Sequence, residues 1–598
     1  MRLEELGILG KHGISFLTAI DGFREISSAN IIVQQPKGAQ PHHLIFIADP
    51  QITDPHSYPG RPWPLSSLTV TITDNYLRRG YKALQRNLNP DSLFFLGDLF
   101  DGGREWKTRH GTFADPHWGS ERSKEEKSWV KTWHRRYGED YWIREYQRFA
   151  SIYFDDYNLG GDTPGAYQRG KKLVASLPGN HDLGFGAQVQ VSVRDRFAAF
   201  FGDVNRVDIV GNHSIVSVDT VSLSASASEY KTKHNLRPIY GPATEFLENV
   251  QSTKRKLVAE ELAIWHDNEL DIRHKHLVED IDKADTSRWL RDPGEGSPDF
   301  PTILLTHVPL YREPGTPCGP LREHWPPQKP PKGQIEPVKP DERNAIVVAA
   351  GYQYQNVLNE DISVNLLKSV GNVIHVFSGD DHDYCELVHS KSKGNVREIT
   401  VKSISMAMGV PTPGFVMASL YNPVGADGKP IPGSPETTMQ THLCLLPNQI
   451  HTYMTYIFLG LFSFALLAVR ALLVPTLHLT PFALEPEAGP MSSLPMFKDK
   501  EDPPDLNGRR LSIPAAATSS SNGSMRWAAK KNRRTGGWSG NSNGPRIKLD
   551  DVYYDGDKTW KTGRGRVALG TVGTEMWTTS WRAVWMVVLY WSYLARKG

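Results

Sequence analysis

Between residues 41 and 450, short continuous apolar runs alternate with longer amphipathic stretches. Strand-like runs occur at His43–Ala48, Ser92–Leu96, Lys172–Leu177, Ile209–Val218, Thr302–Leu305 and Asn372–Phe377. Most are rich in β-branched or aromatic residues and bounded by turn residues. Helical spacing of apolar residues predicts helices over Thr71–Asn87, Lys124–Phe154, Ala243–Asp267 and Tyr352–Ser369. Val396–Leu420 is strand-like again and would complete the sheet. Strands alternating with helices imply an α/β domain over residues 41–450, with two β-sheets sandwiched between helices and helical insertions near 120–165 and 240–295. The charged stretch Glu245–Arg291 is expected to be a largely solvated surface insertion.

Beyond residue 450 the pattern changes. Tyr453–Val474 is a run of 22 residues interrupted only by Arg470 near its end. As a helix it would be about 33 Å long, enough to cross the hydrocarbon core, and Arg470 can snorkel. Trp577–Leu594, rich in Trp and Tyr and broken by Arg582, is a weaker second span or an interfacial helix. The linker between them, residues 475–576, is rich in Ser, Gly, Pro and Asn from 485 to about 560 and is expected to be disordered. It carries the basic cluster Arg526, Lys530, Lys531, Arg533 and Arg534. Positive-inside reasoning places that linker in the cytosol and the preceding domain across the membrane, in a lumen. Asn212-His213-Ser214 is a glycosylation sequon consistent with that placement. Residues 1–40 hold no uninterrupted apolar stretch long enough for a signal or anchor. Two readings follow: a cytosolic catalytic domain, or an N-terminus that begins upstream of this sequence.

A chain of 598 residues is too long for one ordinary domain, and 68 basic against 66 acidic residues give no global signature of polyanion binding. The basic cluster is interleaved with Gly and Ser between two membrane candidates, which points to lipid headgroups rather than nucleic acid. Three cysteines, Cys318, Cys385 and Cys444, exclude a disulfide scaffold and a cysteine-rich zinc module. A Cys318–Cys385 bond and free buried thiols both remain open.

The chemistry lies in five blocks, most of them directly after an apolar run: Asp49-Pro50-Gln51, Gly97-Asp98-Leu99-Phe100-Asp101, Gly179-Asn180-His181-Asp182, Thr306-His307 and Gly379-Asp380-Asp381-His382. A single Gly-Asp pair is commonly a surface turn. Five blocks of oxygen and imidazole ligands on loops at strand ends point instead to a dinuclear metal site, in which Asp98 can bridge two cations. Asn180 offers a neutral oxygen, while His181 is free to give a proton to a leaving oxygen. A second Gly-Asn-His, at Gly211–His213, lacks a following carboxylate and is expected to be a strand or turn.

From Leu44 to about Asn422 the order of these blocks resembles the calcineurin-like metallophosphoesterase superfamily. Gln51 and Asp380 stand where that pattern usually has histidine. With Asp-Pro-Gln first, Gly-Asp-Asp-His-Asp-Tyr-Cys last, Thr306–Arg312 between them and a later membrane span, the chain is similar to the fungal membrane-bound phosphodiesterases that trim ethanolamine phosphate from GPI-anchor glycans. That resemblance implies a metallophosphoesterase-type double-sheet sandwich followed by C-terminal transmembrane segments. It implies manganese-dependent activity in the endoplasmic reticulum membrane, with cycling to the Golgi, in support of export of GPI-anchored proteins. It also implies an N-terminal membrane anchor. Carried onto this sequence, one metal would be held by Asp49, Gln51, Asp98 and His382, and the other by Asp98, Asn180, His307 and Asp380. By two-metal chemistry, hydroxide between the two ions would attack phosphorus, with His181 as the acid and Asp182 orienting it, while Arg312 is open between a phosphate contact and an ion-paired surface role.

Five oxygen-bearing ligands and two histidines form a hard set that favours two Mn2+ over zinc. Two divalent ions contribute roughly +4, Asp49, Asp98 and Asp380 roughly −3, and hydroxide roughly −1, so the site is close to neutral and suits a singly charged diester. The competing readings are another membrane-associated phosphoesterase and a degenerate, inactive membrane adaptor, because motifs fix the reaction better than the substrate.

Overall fold

A computed structural model describes residues 41–108, 124–157, 171–266, 280, 282–283, 292–323, 344–351, 353–477 and 567–597. The expectations for residues 1–40 and for the tail from 485 to about 560 lie outside them. The chain divides into a unit of Met1–Phe458 with Leu589–Gly598 and a unit of Leu459–Val588.

Two sheets organise the first unit. One has the order β13-β12-β1-β2-β3 and the other β10-β11-β9-β6-β5-β4. The first contains β1 (His42–Ile47), β2 (Ser92–Phe95), β3 (Lys172–Val174), β12 (Gly414–Leu420) and β13 (Met439–Leu445). The second contains β4 (Arg206–Val210), β5 (His213–Ser217), β6 (Thr302–Leu305), β9 (Val373–Ser378), β10 (Cys385–Val388) and β11 (Arg397–Thr400). The short β7 (Ala350–Gly351) and β8 (Tyr354–Gln355) pair with each other. The central strands β1, β2 and β3 run parallel, as do β5, β6, β9 and β11.

Parallel strands covered on both faces need apolar residues at every position, which is why these strands read as unbroken runs. Along β1, Leu44 and Phe46 point between the sheets, while Ile45 and Ile47 point to the helical layer. Phe46 stacks on Phe377 of the facing sheet with ring centroids 4.0 Å apart. The helices Leu65–Leu88, Glu139–Tyr153 and Glu360–Val370 each contribute buried apolar residues to the outer core.

Several elements differ from the sequence reading. The run Ile209–Val218 is a hairpin of β4 and β5, because Gly211 and Asn212 both adopt positive φ, at 55° and 54°. Two successive residues of that kind turn a strand back on itself. Lys124–Phe154 is two helices, Lys124–Arg136 and Glu139–Tyr153, separated at Tyr137-Gly138. The helix expected over Tyr352–Ser369 is confined to Glu360–Val370. Helix Arg237–Trp265 is more than a solvated insertion: Val250, Lys254, Val258 and Leu262 are buried on one face, and Lys254 Nζ donates to the carbonyls of Val370 and Gly371 at 3.2 Å. Most of 267–291 lies outside the described residues.

Helix Gln449–Leu477 contains the apolar run, and among the described residues Gln449–Val474 is the one segment long and apolar enough to cross a membrane. Trp577–Leu594 lies within helix Val567–Lys597, which also carries Glu575 and Arg582. Inside the second unit Arg470 Nη1 lies 3.1 Å from Glu575 Oε1.

Candidate metal centre

Each block follows the carboxyl end of a parallel strand: Asp49 and Gln51 after β1, Asp98 after β2, Asn180 after β3, His307 after β6, and Asp380 and His382 after β9. The crevice beyond strand carboxyl ends is where open α/β sheets gather ligand-binding groups. Ligand atoms of Asp49, Asp98 and His382 lie within 4.8 Å of one another, as do those of Asp98, His307 and Asp380, so Asp98 belongs to both groups. His307 Nε2 is 3.1 Å from Asn180 Oδ1, 3.4 Å from Asp98 Oδ1 and 3.6 Å from Asp380 Oδ1. Gln51 Nε2 donates to Asp98 Oδ2 at 2.6 Å.

Backbone conformation at the site is unusual. Asp49, Gln51, Asp98, Asp380 and His382 all have positive φ, at 45°, 30°, 50°, 69° and 66°. Such conformations cost roughly 1 kcal/mol or more each in a non-glycine residue and recur where function requires them. Two glycines make room for the ligands. A Cβ on Gly97, whose φ is +97°, would sit 2.5 Å from His307 Nδ1, and one on Gly179 would sit 2.0 Å from Asp98 Oδ1.

The donor set fits two cations. Asp49 Oδ2 and Gln51 Oε1 are buried without a hydrogen-bond partner, a costly state that a cation would relieve. His307 Nδ1 faces the carbonyl of Leu96 at 2.8 Å, which fixes the tautomer that leaves Nε2 free to ligate. Asn180 turns its amide nitrogen to the carbonyl of Gln353 at 3.1 Å, leaving Oδ1 toward the site. Burial is the main cause of the raised pKa of Asp49, and Asp98 and Asp380 raise it further against His307. Crowding of three carboxylates in so dry a place calls for positive charge.

His181 stands beside this cluster. Its backbone N–H donates to Asp98 Oδ1 at 2.8 Å. Its Nδ1 lies 2.7 Å from the Asp101 carbonyl and 3.1 Å from the Asp101 carboxylate. Burial disfavours charge on the ring, but Asp98 and Asp101 outweigh both burial and Arg104 and lift its pKa to about 9. The acid in contact with the His181 ring is therefore Asp101, where the sequence reading expected Asp182. Asp182 accepts N–H bonds from Leu99, Phe100 and Gly179 at 3.1, 3.0 and 2.9 Å, which locks two of the loops together. Three donors from surrounding backbone leave it no part in holding an imidazole.

Arg312 is likewise not placed for phosphate. It is buried, with Nη2 2.9 Å from Glu398 Oε1 and Nη1 3.2 Å from Cys385 Sγ. Glu398 has no solvent of its own, so it draws in the guanidinium. Another cation lies nearer the cluster: Arg104 Nη1 is 3.5 Å from the Asn180 carbonyl, and its Nε donates to Gln353 Oε1 at 2.6 Å.

The last loop is pinned from below. Lys402 Nζ, fully buried, lies 2.8 Å from Asp383 Oδ1, and Arg322 pairs with Asp381. Cys318 and Cys385 form a disulfide that ties β10 to the segment after Arg312. Cys444 is a buried free thiol.

The calcineurin-like phosphoesterase family matches residues 45–384. The chain belongs to that family of phosphoric ester hydrolases. It is 34% identical to Cell division control protein 1 of Saccharomyces cerevisiae over 72% of this chain and 66% of that protein, just under two thirds of its length. It is 22% identical to the Metallophosphoesterase 1 homolog of Drosophila melanogaster over 64% of this chain and 72% of that one. Among solved structures, a dimetal phosphatase from Danio rerio is 14% identical and covers 68% of this chain and 98% of its own, with a TM-score of 0.28.

Proposed function

We propose that this protein is a metal-dependent phosphodiesterase that removes ethanolamine phosphate from a mannose of the GPI-anchor glycan. The observation that carries the reading is the donor set itself: two ligand groups share Asp98, with Gln51 and Asp380 at positions that usually hold histidine. One cation would be held by Asp49, Gln51, Asp98 and His382, the other by Asp98, Asn180, His307 and Asp380. When bound there, two divalent cations, Mn2+ by the hardness of the donors, supply Lewis acidity at phosphorus and lower the pKa of water.

The chain's own residues supply the rest. The mannose hydroxyl is a poor leaving group, so it must be protonated as the P–O bond breaks. His181 holds that proton on Nε2, because Nδ1 is engaged by Asp101. Asp380 in place of an imidazole keeps the net charge low, which favours a singly charged diester.

Location follows from three supports. The Cys318–Cys385 disulfide suits an oxidising compartment. Helix Gln449–Leu477 carries the apolar segment, and the basic linker after it favours the cytosolic side. Together they support a catalytic domain in the lumen of the endoplasmic reticulum, with membrane lipid and the glycan as its contacts and no nucleic acid.

The test is incubation of the purified chain and manganese with a GPI glycan bearing ethanolamine phosphate. Release of ethanolamine phosphate, abolished in Asp98→Asn, supports the reading; an intact glycan beside active hydrolysis of simple diesters removes the substrate assignment.

A further inference from the structure

The metal loops account for hydrolysis but not for the two helices inserted between the second and third blocks. Those helices, Lys124–Arg136 and Glu139–Tyr153, form one wall of a cavity of about 490 Å³, whose other wall is the chain that leaves Gln51. A second cavity of about 470 Å³ adjoins it, sharing Arg136 and Tyr141. Through these shared residues the two cavities adjoin as one groove.

Its lining has a definite chemistry. Tyr58 is 37% exposed, and the rings of Tyr137 and Tyr141 lie 4.4 Å apart. Trp133 forms the floor against His56, with ring centroids 3.9 Å apart. Thr53 lines the cavity with its hydroxyl buried and without a hydrogen-bond partner. Arg148 is matched by Glu145 and lies 2.8 Å from Asp74, while Arg61, Arg136 and Arg144 lie over the rings of Tyr58, Tyr137 and Tyr141 at 3.8, 5.6 and 5.2 Å. Stacked in this way, the guanidinium groups present planar faces and N–H edges beside the tyrosine rings. Aromatic faces, neutral hydroxyl groups and paired planar side chains suit a neutral polyol, whose C–H faces lie on rings and whose hydroxyls exchange hydrogen bonds with the polar edges.

The groove also lies beside the chemistry. Asp54, part of its lining, accepts the Gly102 N–H at 2.7 Å. A Cβ on Gly102 would sit 2.0 Å from His56 Nδ1. Gly102 follows Asp101, which holds His181. The far wall of the groove is thus one loop away from the proton donor.

We propose that this groove is a carbohydrate subsite that holds a run of neutral hexoses next to the scissile phosphodiester. The proposal rests on the glycan reading above and locates the surface that selects it. Tyr58 is the residue to change, since it is exposed and its loss leaves the core intact.

The full chain in detergent micelles with manganese would be assayed on two substrates: a trimannoside carrying ethanolamine phosphate, and bis(p-nitrophenyl) phosphate, which has no sugar. For Tyr58→Ala the ratio of glycan to aryl-diester kcat/KM is expected to fall about tenfold, mostly through KM. Tyr58→Trp, which keeps an aromatic face, is expected to retain the ratio. An unchanged ratio in Tyr58→Ala, or an equal loss on both substrates, overturns the groove and leaves the glycan reading standing. If the wild type cleaves only the aryl diester, the glycan reading fails; the groove is then judged on binding of unphosphorylated trimannoside by calorimetry, where absence of binding overturns it too.

Discussion

His181 Nδ1 lies 2.7 Å from the carbonyl oxygen of Asp101 and 3.1 Å from its carboxylate, so one residue grips the candidate acid through both main chain and side chain. Burial works against the Asp101 charge, but the hydrogen bonds from His181 and Ser57 hold its pKa well below the usual carboxylate range. Asp101→Asn keeps the shape and removes the charge. Its rate on an alkyl-alcohol leaving group is expected to fall on the order of tenfold to a hundredfold, with a much smaller loss on nitrophenol. Steady-state kinetics on matched diesters check this; equal losses would remove the pair from proton transfer.

The raised pKa of His181 owes much to Asp98. Cations held by Asp98 offset that field, so loading manganese is expected to lower the His181 pKa from about 9 toward the ordinary imidazole value. NMR titration of the histidine ring in zinc- or magnesium-loaded and metal-free protein, which avoids paramagnetic broadening, reads the shift directly.

Asp98 and Gly179 are in contact across two loops, and the geometry leaves no space for a methyl group. Gly179→Ala is expected to fold, because the helical and inter-sheet cores do not involve it, and to lose most bound metal. Metal content alongside the circular dichroism spectrum distinguishes a lost site from a lost fold.

Much of this centre was legible in the sequence. Strand ends could be read because strands buried on both faces show continuous apolar runs, and the loops after them carry ligand-type residues. The clustering of Asp98 with residues more than 200 positions away follows from parallel strands delivering their carboxyl ends to one edge. Less could be read where the signal is tertiary. Asp182 adjoins His181 in sequence while Asp101 lies 80 positions away, and only the loop path decides that the distant acid meets the ring and the adjacent one meets backbone N–H groups. Arg312 lies in a conspicuous motif, but its partner, Glu398, is on β11 and is reached only through sheet pairing. Gly211–His213 could be read only as a strand or turn, because apolar runs flank it on both sides, and pairing of β4 with β5 decides for the turn.

The disulfide closes a loop across 67 residues of sequence. In the chain-entropy view, removing it costs about 4 kcal/mol. Cys318→Ser with Cys385→Ser is expected to lower the unfolding midpoint and weaken metal retention, since the bond sits three residues after His382. Thermal unfolding with and without manganese measures both effects.

Glu145 provides a pH test away from the metals. Burial, helped by Asp54 and Asp74 against Arg148, raises its pKa from 4.5 to about 7. A carboxyl raised on folding contributes stability below its unfolded pKa, and that contribution is lost as pH rises through the folded value. Wild-type stability is therefore expected to decline between about pH 4.5 and pH 7 through this group. In Glu145→Gln that part of the slope should vanish, as read from unfolding midpoints across the range.

The most direct measurement is the metal content of the purified chain, wild type beside Asp98→Asn, after dialysis in metal-free buffer and reconstitution with manganese. About two ions per chain in the wild type, falling sharply in the variant, is the outcome a shared Asp98 ligand requires. A folded wild type that retains no manganese would contradict the dinuclear centre and with it the phosphodiesterase reading.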